Sequence, residues 1–349
     1  MRKKITLIIT LLTVFALLLS ACGGSGKQAK PDPEDVGSNT QEESSDPETP
    51  NAGNEETIWQ DSALESIILA FLDKTEGPIY RDDLKDIHFI RMMIMTDGTP
   101  LMEINMTKDT YAVSGDPVPD DGWSSYGSAF TFEPLQSVED FANFPNLTGL
   151  DLCGNNISDL SPLSGLTKLT SLCVHDNNIT DISPLSGMTE LTSLALNTNN
   201  ISDIAPLSGL TKLTTLQLFE NNLSDLEPLR GMTKMTYLNL YDTGITDISP
   251  LAGMTDMIWL YINKSNVTDI SPLAGMTELM QLDACRNNIS DLKPLSGLDK
   301  LEVVCLHTNN ITDISPLSGL TAAYHIDLSN NQISDWSPVQ HVATVDGRP

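Results

Sequence analysis

The chain has 349 residues, of which 47 are acidic and 19 are basic, so its formal net charge at pH 7 is -28. A surface this acidic lacks the basic patches on which affinity for nucleic acid depends, and a nucleic-acid partner is therefore not expected. A tandem repeat fills more than half of the chain, which favours one elongated body over several globular domains.

Residues 1–21 have the layout of an export signal. Residues 2–4 are basic, and the apolar run at 5–19 that follows is short for a membrane span. The next residues, Leu-Ser-Ala-Cys at 19–22, resemble a bacterial lipobox. The resemblance implies cleavage before Cys22 and attachment of a lipid to its thiol, which would hold the protein on the extracellular face of the bacterial cytoplasmic membrane. The alternative is an ordinary secretory signal in which Cys22 is incidental.

Residues 22–56 contain almost no apolar side chains and are rich in Gly, Ser, Pro, Asn, Asp and Glu. Such a segment cannot bury enough surface to offset the entropy lost on ordering, so it is interpreted as a disordered acidic tether. An N-terminal cap and an irregular segment are expected at 57–143.

Within the cap, the apolar spacing between Trp59 and Asp73 predicts a helix, with Asp61 as its N-cap. A strand is predicted from Ile87 to Met95, and a further strand from Ala129 to Phe132. The cap would cover the first repeat, whose apolar core and strand edge would otherwise be open.

Nine copies of a 22-residue unit fill residues 144–341 without a gap. In the second copy, at 166–187, residues 171–175 alternate as a half-buried strand does, with Leu172 and Val174 on the inner side. A period of this length is typical of a solenoid, in which the core is shared between neighbouring copies. Residues 342–349 are expected to form a short C-terminal cap.

Two polar residues of the unit have structural explanations. An Asn after the strand can satisfy backbone groups at the bend, and an Asp three residues before a Pro can cap a short 3₁₀ turn. The Asn is replaced in copies five and six by Thr243 and Ser265, which should lose part of this bonding. The Asp recurs in all nine copies, at Asp159, Asp181, Asp203, Asp225, Asp247, Asp269, Asp291, Asp313 and Asp335.

The unit Leu-x-x-Leu-x-x-Leu-x-Leu-x-x-Asn-x-Ile-x-Asp-Ile-x-Pro-Leu resembles the leucine-rich repeats of internalins and related bacterial surface proteins. The cap, from Trp59 through Gly77-Pro78 to Leu84, is similar to the helical N-terminal cap of the same proteins. The resemblance implies an α/β solenoid, a leucine-rich repeat horseshoe with a parallel β-sheet on its concave face. It also implies protein binding, without identifying the ligand.

Side chains at the outward strand positions do not pack in the core. In copies four to six these positions carry five aromatic residues. Aromatic residues with a polar tip are enriched in binding hot spots, so these positions predict a ligand site. The alternative is cross-strand packing that only stiffens the sheet. The predicted ligand-binding residues are Phe219, Tyr237, Asn239, Tyr241, Trp259, Tyr261 and Asn263, with Lys264 and Arg286 beside them to pair with an acidic group.

Four cysteines occupy outward positions in two matching sets, six copies apart. We call Asp151, Cys153, Cys173 and His175 the first square, and Asp283, Cys285, Cys305 and His307 the second square. Thiolate and imidazole are Zn²⁺ ligands, so Cys153, Cys173, His175, Cys285, Cys305 and His307 are candidate metal ligands. Diagonal disulfides are a second option, although flat strand geometry places those α-carbons roughly 8 Å apart. Duplication of a block without function is the third.

The sequence thus favours a non-enzymatic, lipid-anchored, monomeric surface protein that binds a protein or peptide on its concave sheet. A glycan ligand is the alternative, because the same aromatic side chains can stack on sugar rings. No cofactor is required, and Zn²⁺ at the squares would be the exception.

Overall fold

The computed structural model describes residues 55–60, 62–94, 100–105, 123–125, 135 and 137–349. All of them fall in the second of two units into which the chain divides, Ala52–Pro349. The export signal, Cys22 and most of the tether therefore lie outside the described residues, as do Asp61 and the strand predicted at Ala129–Phe132. No helix in the described ranges has the length and apolar character needed to cross a membrane.

The N-terminal cap contains one α-helix and a strand that joins the main sheet. The predicted helix and first strand are both confirmed, with each end one to three residues inside the predicted bounds. Leu64, Ile67 and Ile68 form the fully buried stripe of the helix, as their i, i+3, i+4 spacing requires. The elements are α1 (Ser62–Phe71), a 3₁₀ turn at Arg81–Leu84, β1 (Phe89–Ile94), β2 (Pro100–Asn105) and β3 (Trp123–Ser125).

Ring packing fixes the cap to the first copy, and two hydrogen bonds join the start of the cap to residues 139–143, the 3₁₀ turn just before that copy. The ring of Trp59 meets that of Phe144 edge to face, with centroids 6.1 Å apart. The Gln60 backbone N–H donates to the Asp140 carboxylate at 2.8 Å, and the Asn143 amide donates to a backbone carbonyl of the cap at 3.1 Å. The cap therefore closes the apolar end of the solenoid, as the sequence predicts.

The nine copies form the predicted solenoid: each contributes one short strand and one 3₁₀ turn. The strands are β4 (Gly149–Asp151), β5 (Ser171–Cys173), β6 (Ser193–Ala195), β7 (Thr215–Gln217), β8 (Tyr237–Asn239), β9 (Trp259–Tyr261), β10 (Gln281–Asp283), β11 (Val303–Cys305) and β12 (His325–Asp327). The turns lie at Ser161–Gly165, Ser183–Gly187, Ala205–Gly209, Glu227–Leu229, Ser249–Gly253, Ser271–Gly275, Lys293–Leu295, Ser315–Gly319 and Ser337–Val339, and another, Glu139–Asn143, precedes them.

One sheet runs the length of the described molecule. Neighbouring repeat strands pair in parallel with a 22-residue offset, so that Leu172 lies opposite Leu194. Both side chains are fully buried, and burial of an aliphatic side chain stabilises by about 1.5–3 kcal/mol. At the N-terminal end β1 adds in parallel to β4, and β2 and β3 continue antiparallel. The sequence predicts β1 but not its place in the sheet.

The recurring Asn forms a hydrogen-bonded ladder between copies. Asn177 donates from Nδ2 to the carbonyls of Leu152 and Val174 at 3.0 and 3.1 Å, and its Oδ1 accepts the Ile157 N–H at 3.0 Å. The seven ladder residues are Asn155, Asn177, Asn199, Asn221, Asn287, Asn309 and Asn331.

Copies five and six interrupt this ladder, as expected from their sequences. The Thr243 hydroxyl donates one bond, to a carbonyl of its own turn at 2.8 Å, and the Ser265 hydroxyl donates one at 3.4 Å. In both copies the following residue, Gly244 or Asn266, has a left-handed backbone with φ of 77° or 68°.

The recurring Asp caps the 3₁₀ turn in every copy. The carboxylate of Asp181 accepts the backbone N–H of Ser183, the first residue of the turn, at 2.8 Å. The same bond is present at the other eight positions, with lengths between 2.7 and 2.9 Å. The predicted capping role is therefore confirmed.

The C-terminal residues extend the sheet by one strand, β13 (Thr344–Asp346), which pairs in parallel with β12. Gly347 follows with φ of 93°, and a Cβ there would lie 2.6 Å from the Ser329 α-carbon. Only glycine fits so close an approach in that conformation. The Arg348 guanidinium then donates to the Val339 carbonyl at 2.6 Å, which ties the chain end to the last copy.

Candidate functional site: the concave face

The outward strand positions of copies four to six carry the predicted group of aromatic side chains. We call these five residues, Phe219, Tyr237, Tyr241, Trp259 and Tyr261, the aromatic platform. Strand pairing places Tyr237 beside Trp259 and Asn239 beside Tyr261. Phe219 and Tyr241 follow two residues after the ends of β7 and β8. The parallel register therefore brings together residues that lie 22 positions apart in the chain.

All five platform side chains are half-buried, and Tyr237 packs against two of the others. The Tyr237 ring centroid lies 5.6 Å from that of Tyr261 and 6.4 Å from that of Trp259. Burial raises the pKa of both tyrosine hydroxyls, so they remain protonated donors at neutral pH. The rings thus support each other, as the stiffening interpretation expects, and still present part of their surface.

The two asparagines of the site differ in their bonding. The Asn239 side-chain oxygen accepts the Tyr241 backbone N–H at 3.0 Å, so this oxygen is already engaged within its own copy. The Oδ1 atom of Asn263 is buried and has no hydrogen-bond partner in the described structure. A buried acceptor without a donor costs about 1–3 kcal/mol.

Lys264 and Arg286 occupy equivalent positions in successive copies, both with left-handed backbones. The Lys264 ammonium forms an ion pair with Asp242 and lies 5.5 Å from the centre of the Tyr241 ring. Its charge is therefore already compensated, and the hydrogen bond to Asp242 raises the pKa of Lys264. Arg286 forms no ion pair within the described ranges, which leaves it as the cation better able to meet an acidic group.

An acidic column borders the platform on the C-terminal side. Asp283 pairs in register with Tyr261, and Asp327 and Asp346 follow on β12 and β13. Burial raises the pKa of Asp283, and the charge of Asp327 contributes to the shift. Asp346 is engaged by the His325 imidazole, with Nε2 and Oδ2 2.8 Å apart.

The first square differs from the geometry expected from its sequence. Cys153 and Cys173 form a disulfide, and their α-carbons are 6.1 Å apart rather than roughly 8 Å. The flat-strand estimate was wrong because β4 ends at Asp151 and Cys153 lies in the turn that follows, next to Gly154 with φ of 70°. The turn brings the two α-carbons within the range that a disulfide spans.

The metal hypothesis stays a prediction at both squares. Potential ligand atoms of Cys153, Cys173 and His175 lie within 4.8 Å of one another. Zinc binds thiolates, so the disulfide and a zinc ion exclude each other at these cysteines. In the second square both thiols are free, and His307 directs Nδ1 to the Thr308 hydroxyl at 3.1 Å.

Sequence reasoning missed one contact of the concave face. Arg91 of β1 lies opposite Asp151, and its Nε donates to the carboxylate at 2.8 Å. Phe89 lies opposite Gly149, where a Cβ would be 2.3 Å from the ring. Every later copy has a larger residue than glycine at this position. The glycine in the first copy was therefore the available sign that another side chain covers it.

A family model described as "Leucine Rich repeats (2 copies)" matches residues 145–187, 167–209, 211–253 and 277–319. With the sheet, the 3₁₀ turns and the Asn ladder, this match defines the class as a leucine-rich repeat protein. The crystal structure of an internalin, inlF, from Listeria monocytogenes is 34% identical, with a TM-score of 0.68 over 83% of this chain and 76% of that one. The chain belongs to the internalin family.

Two more distant structures share the fold. The functional domain of InlJ from Listeria monocytogenes, whose description notes a cysteine ladder, is 21% identical with a TM-score of 0.61, over 82% of this chain and 54% of that one. A plant peptide hormone receptor, RGFR1 in complex with RGF2, is 18% identical with a TM-score of 0.52, over 61% of this chain and 41% of that one. No curated protein matches the chain in sequence. The fold is typical of non-catalytic proteins that bind protein partners.

Proposed function

We propose that this protein is a lipid-anchored bacterial surface protein that binds a protein or peptide ligand on the concave face of its repeats. The aromatic platform is the observation that supports the proposal most directly. Five aromatic side chains lie at outward positions on three neighbouring copies, and aromatic residues dominate binding energy at protein interfaces. The plant receptor of the same fold, solved in complex with the peptide RGF2, is consistent with a peptide ligand.

The ligand would contact the platform with an apolar or aromatic side chain. Asn263 is half-buried on the same face and would offer its amide N–H groups to the ligand. The acidic column on one side of the platform and Arg286 beside it would add charge complementarity, which mainly sets specificity and association rate.

The test is selection of a phage-displayed random peptide library on the full-length protein, followed by affinity measurement on variants. Selected peptides should lose at least about tenfold in affinity for Tyr241→Ala/Trp259→Ala, since hot-spot truncation costs about 2 kcal/mol or more. The matched control is Tyr324→Ala, because Tyr324 is 42% exposed and lies outside the platform. Equal affinity for the platform variant and wild type would refute the site.

A glycan ligand is the second candidate, and the half-exposed rings of Tyr241 and Trp259 favour it. Sugar rings stack on such faces, while Asn239 and Asn263 offer amide groups to hydroxyls. A glycan array probed with wild type and with the platform variant separates the two candidates. Glycan binding that depends on the platform, with no peptide enriched by selection, would replace the protein-binding proposal.

The anchor is proposed from the lipobox resemblance at Cys22. The wild-type protein should partition into the detergent phase of a Triton X-114 extraction and incorporate labelled palmitate. The Cys22→Ala variant should do neither. Palmitate labelling that survives this substitution would contradict the anchor at Cys22, and the platform proposal would be unaffected.

A further inference from the structure

The second square has the same backbone arrangement as the first. The Leu152 N–H donates to the Cys173 carbonyl at 2.8 Å, and six copies later the Ala284 N–H donates to the Cys305 carbonyl at 2.9 Å. The next backbone bond is also matched: the Gly154 N–H donates to the His175 carbonyl at 3.0 Å, and the Arg286 N–H donates to the His307 carbonyl at 2.9 Å. The repeat therefore sets the two cysteine pairs in the same register.

The turn that shortens the distance in the first square is repeated in the second. Gly154 and Arg286, which follow Cys153 and Cys285, both have left-handed backbones, with φ of 70° and 54°. The preceding aspartate also accepts the cysteine N–H in both squares, at 3.3 Å for Cys153 and 3.2 Å for Cys285. These local bonds turn each cysteine away from the flat strand direction in the same way.

We propose that Cys285 and Cys305 are a second disulfide-forming pair, reduced in the structure and oxidised to a cross-link between copies seven and eight by a disulfide oxidant. The first pair demonstrates the geometry, with α-carbons 6.1 Å apart, inside the usual range for a disulfide. The second pair presents two free thiols on the same framework. Cys305 is half-buried and Cys285 is buried, so the oxidant reaches Cys305 first.

The reaction is a pair of thiol–disulfide exchanges with a small disulfide such as oxidised glutathione. The Cys305 thiol loses its proton and attacks one glutathione sulfur, which breaks the glutathione disulfide and releases one reduced glutathione. The Cys285 thiol then loses its proton and displaces the second glutathione, which forms the Cys285–Cys305 bond. The two protons and the two electrons end on the two reduced glutathione molecules.

Burial opposes a fast reaction. It raises the pKa of both thiols, to about 12 for Cys305, so little thiolate is present at neutral pH. The carboxylate of Asp283 acts in the same direction. These groups affect the rate of exchange and leave the geometry of the product unchanged.

The test uses the full-length protein, fully reduced and then incubated with a mixture of reduced and oxidised glutathione until thiol counts are constant. Alkylation in denaturant and mass spectrometry of unreduced peptides then report each pair. The number of free thiols at Cys285 and Cys305 should fall from two to zero. The two peptides that contain them should be recovered joined, with a mass two hydrogens below the sum of the separate peptides. The Cys153–Cys173 bond in the same sample is the internal control.

Single variants separate an intramolecular bond from modification by glutathione. In Cys285→Ser, the Cys305 thiol should be recovered either free or joined to glutathione, with no cross-linked peptide. Two alkylated thiols in wild type after the Cys153–Cys173 bond has re-formed would overturn the proposal. A stable glutathione adduct on wild-type Cys305, or zinc co-purifying with the pair and blocking oxidation, would also overturn it.

Discussion

Arg91 on the first strand of the cap and Asp151 on the first repeat strand form an ion pair, with Nε and Oδ2 2.8 Å apart. The side chains are 24% and 11% exposed. Asp283 holds the same repeat position six copies later, but its neighbour on the preceding strand is Tyr261. Two aspartates that are equivalent in sequence therefore have opposite electrostatic environments.

Asp283→Asn should stabilise the protein increasingly as the pH rises. Burial raises the pKa of Asp283 in the folded state, so the folded protein holds this proton more tightly than the unfolded chain does. Ionisation therefore costs stability, and this cost is absent below the unfolded pKa of about 3.9. Unfolding midpoints of variant and wild type, compared from pH 3 to pH 7, should diverge in favour of the variant. A constant difference would contradict the argument.

Asp151→Asn should have the opposite effect at neutral pH. The substitution removes the charge that compensates Arg91 and weakens a charge-assisted hydrogen bond, which is worth about 1.5–3 kcal/mol. Urea unfolding at pH 7 should show a loss of this order. A gain in stability would show that the Arg91 pair contributes nothing to cap attachment.

Asn177→Ala should destabilise the fold by about 2–3 kcal/mol. The change removes the amide that bonds backbone groups of two neighbouring copies, and each buried group left unsatisfied costs about 1 kcal/mol or more. Thr243→Ala is the matched control, because Thr243 forms a single side-chain bond at the same repeat position. Its loss in urea unfolding should be less than half as large; equal losses would mean that the ladder bonds are not the cause.

Gly149→Ala should destabilise by about 1–3 kcal/mol, the usual cost of overpacking. The new Cβ would lie 2.3 Å from the Phe89 ring, so the ring or strand β1 must move. Gly165→Ala is the control, since nothing lies within 4 Å of a Cβ there and its backbone is not left-handed. Thermal unfolding should separate the two variants. Equal midpoints would indicate that β1 detaches without cost.

The repeat made the fold predictable, because 22-residue spacing determines which side chains share the core and which lie side by side on the concave face. The grouping of the platform residues could be predicted from that spacing alone. The Arg91–Asp151 pair could not be predicted, because β1 lies outside the repeat and its position beside β4 depends on tertiary packing.

The disulfide distance was misjudged for a local reason. Outward positions were counted as if the strand continued through Cys153, whereas the structure ends it at Asp151. Left-handed residues recur directly after these positions, at Asp176, Thr198, Glu220, Asp242, Lys264, Arg286, Thr308 and Asn330. None of these eight residues is glycine, so composition gave no sign of the bend. The state of the second cysteine pair depends on oxidants and is not encoded in spacing.

The interruption of the Asn ladder at Thr243 and Ser265 makes one section of the solenoid weaker than the rest. The amide of Asn287 still bonds copy six to copy seven. The side-chain amide is therefore missing from the contacts of copy five with copies four and six, which depend on strand pairing and apolar packing. Under load, or on heating, the molecule should therefore open first at the two contacts of copy five, beneath the aromatic platform. Amide hydrogen exchange should be faster at Leu223, whose N–H donates to the Thr243 backbone carbonyl, than at Ile157, whose N–H is held by Asn177. A ligand that spans the platform would then hold neighbouring copies together and stabilise the weakest section of the solenoid.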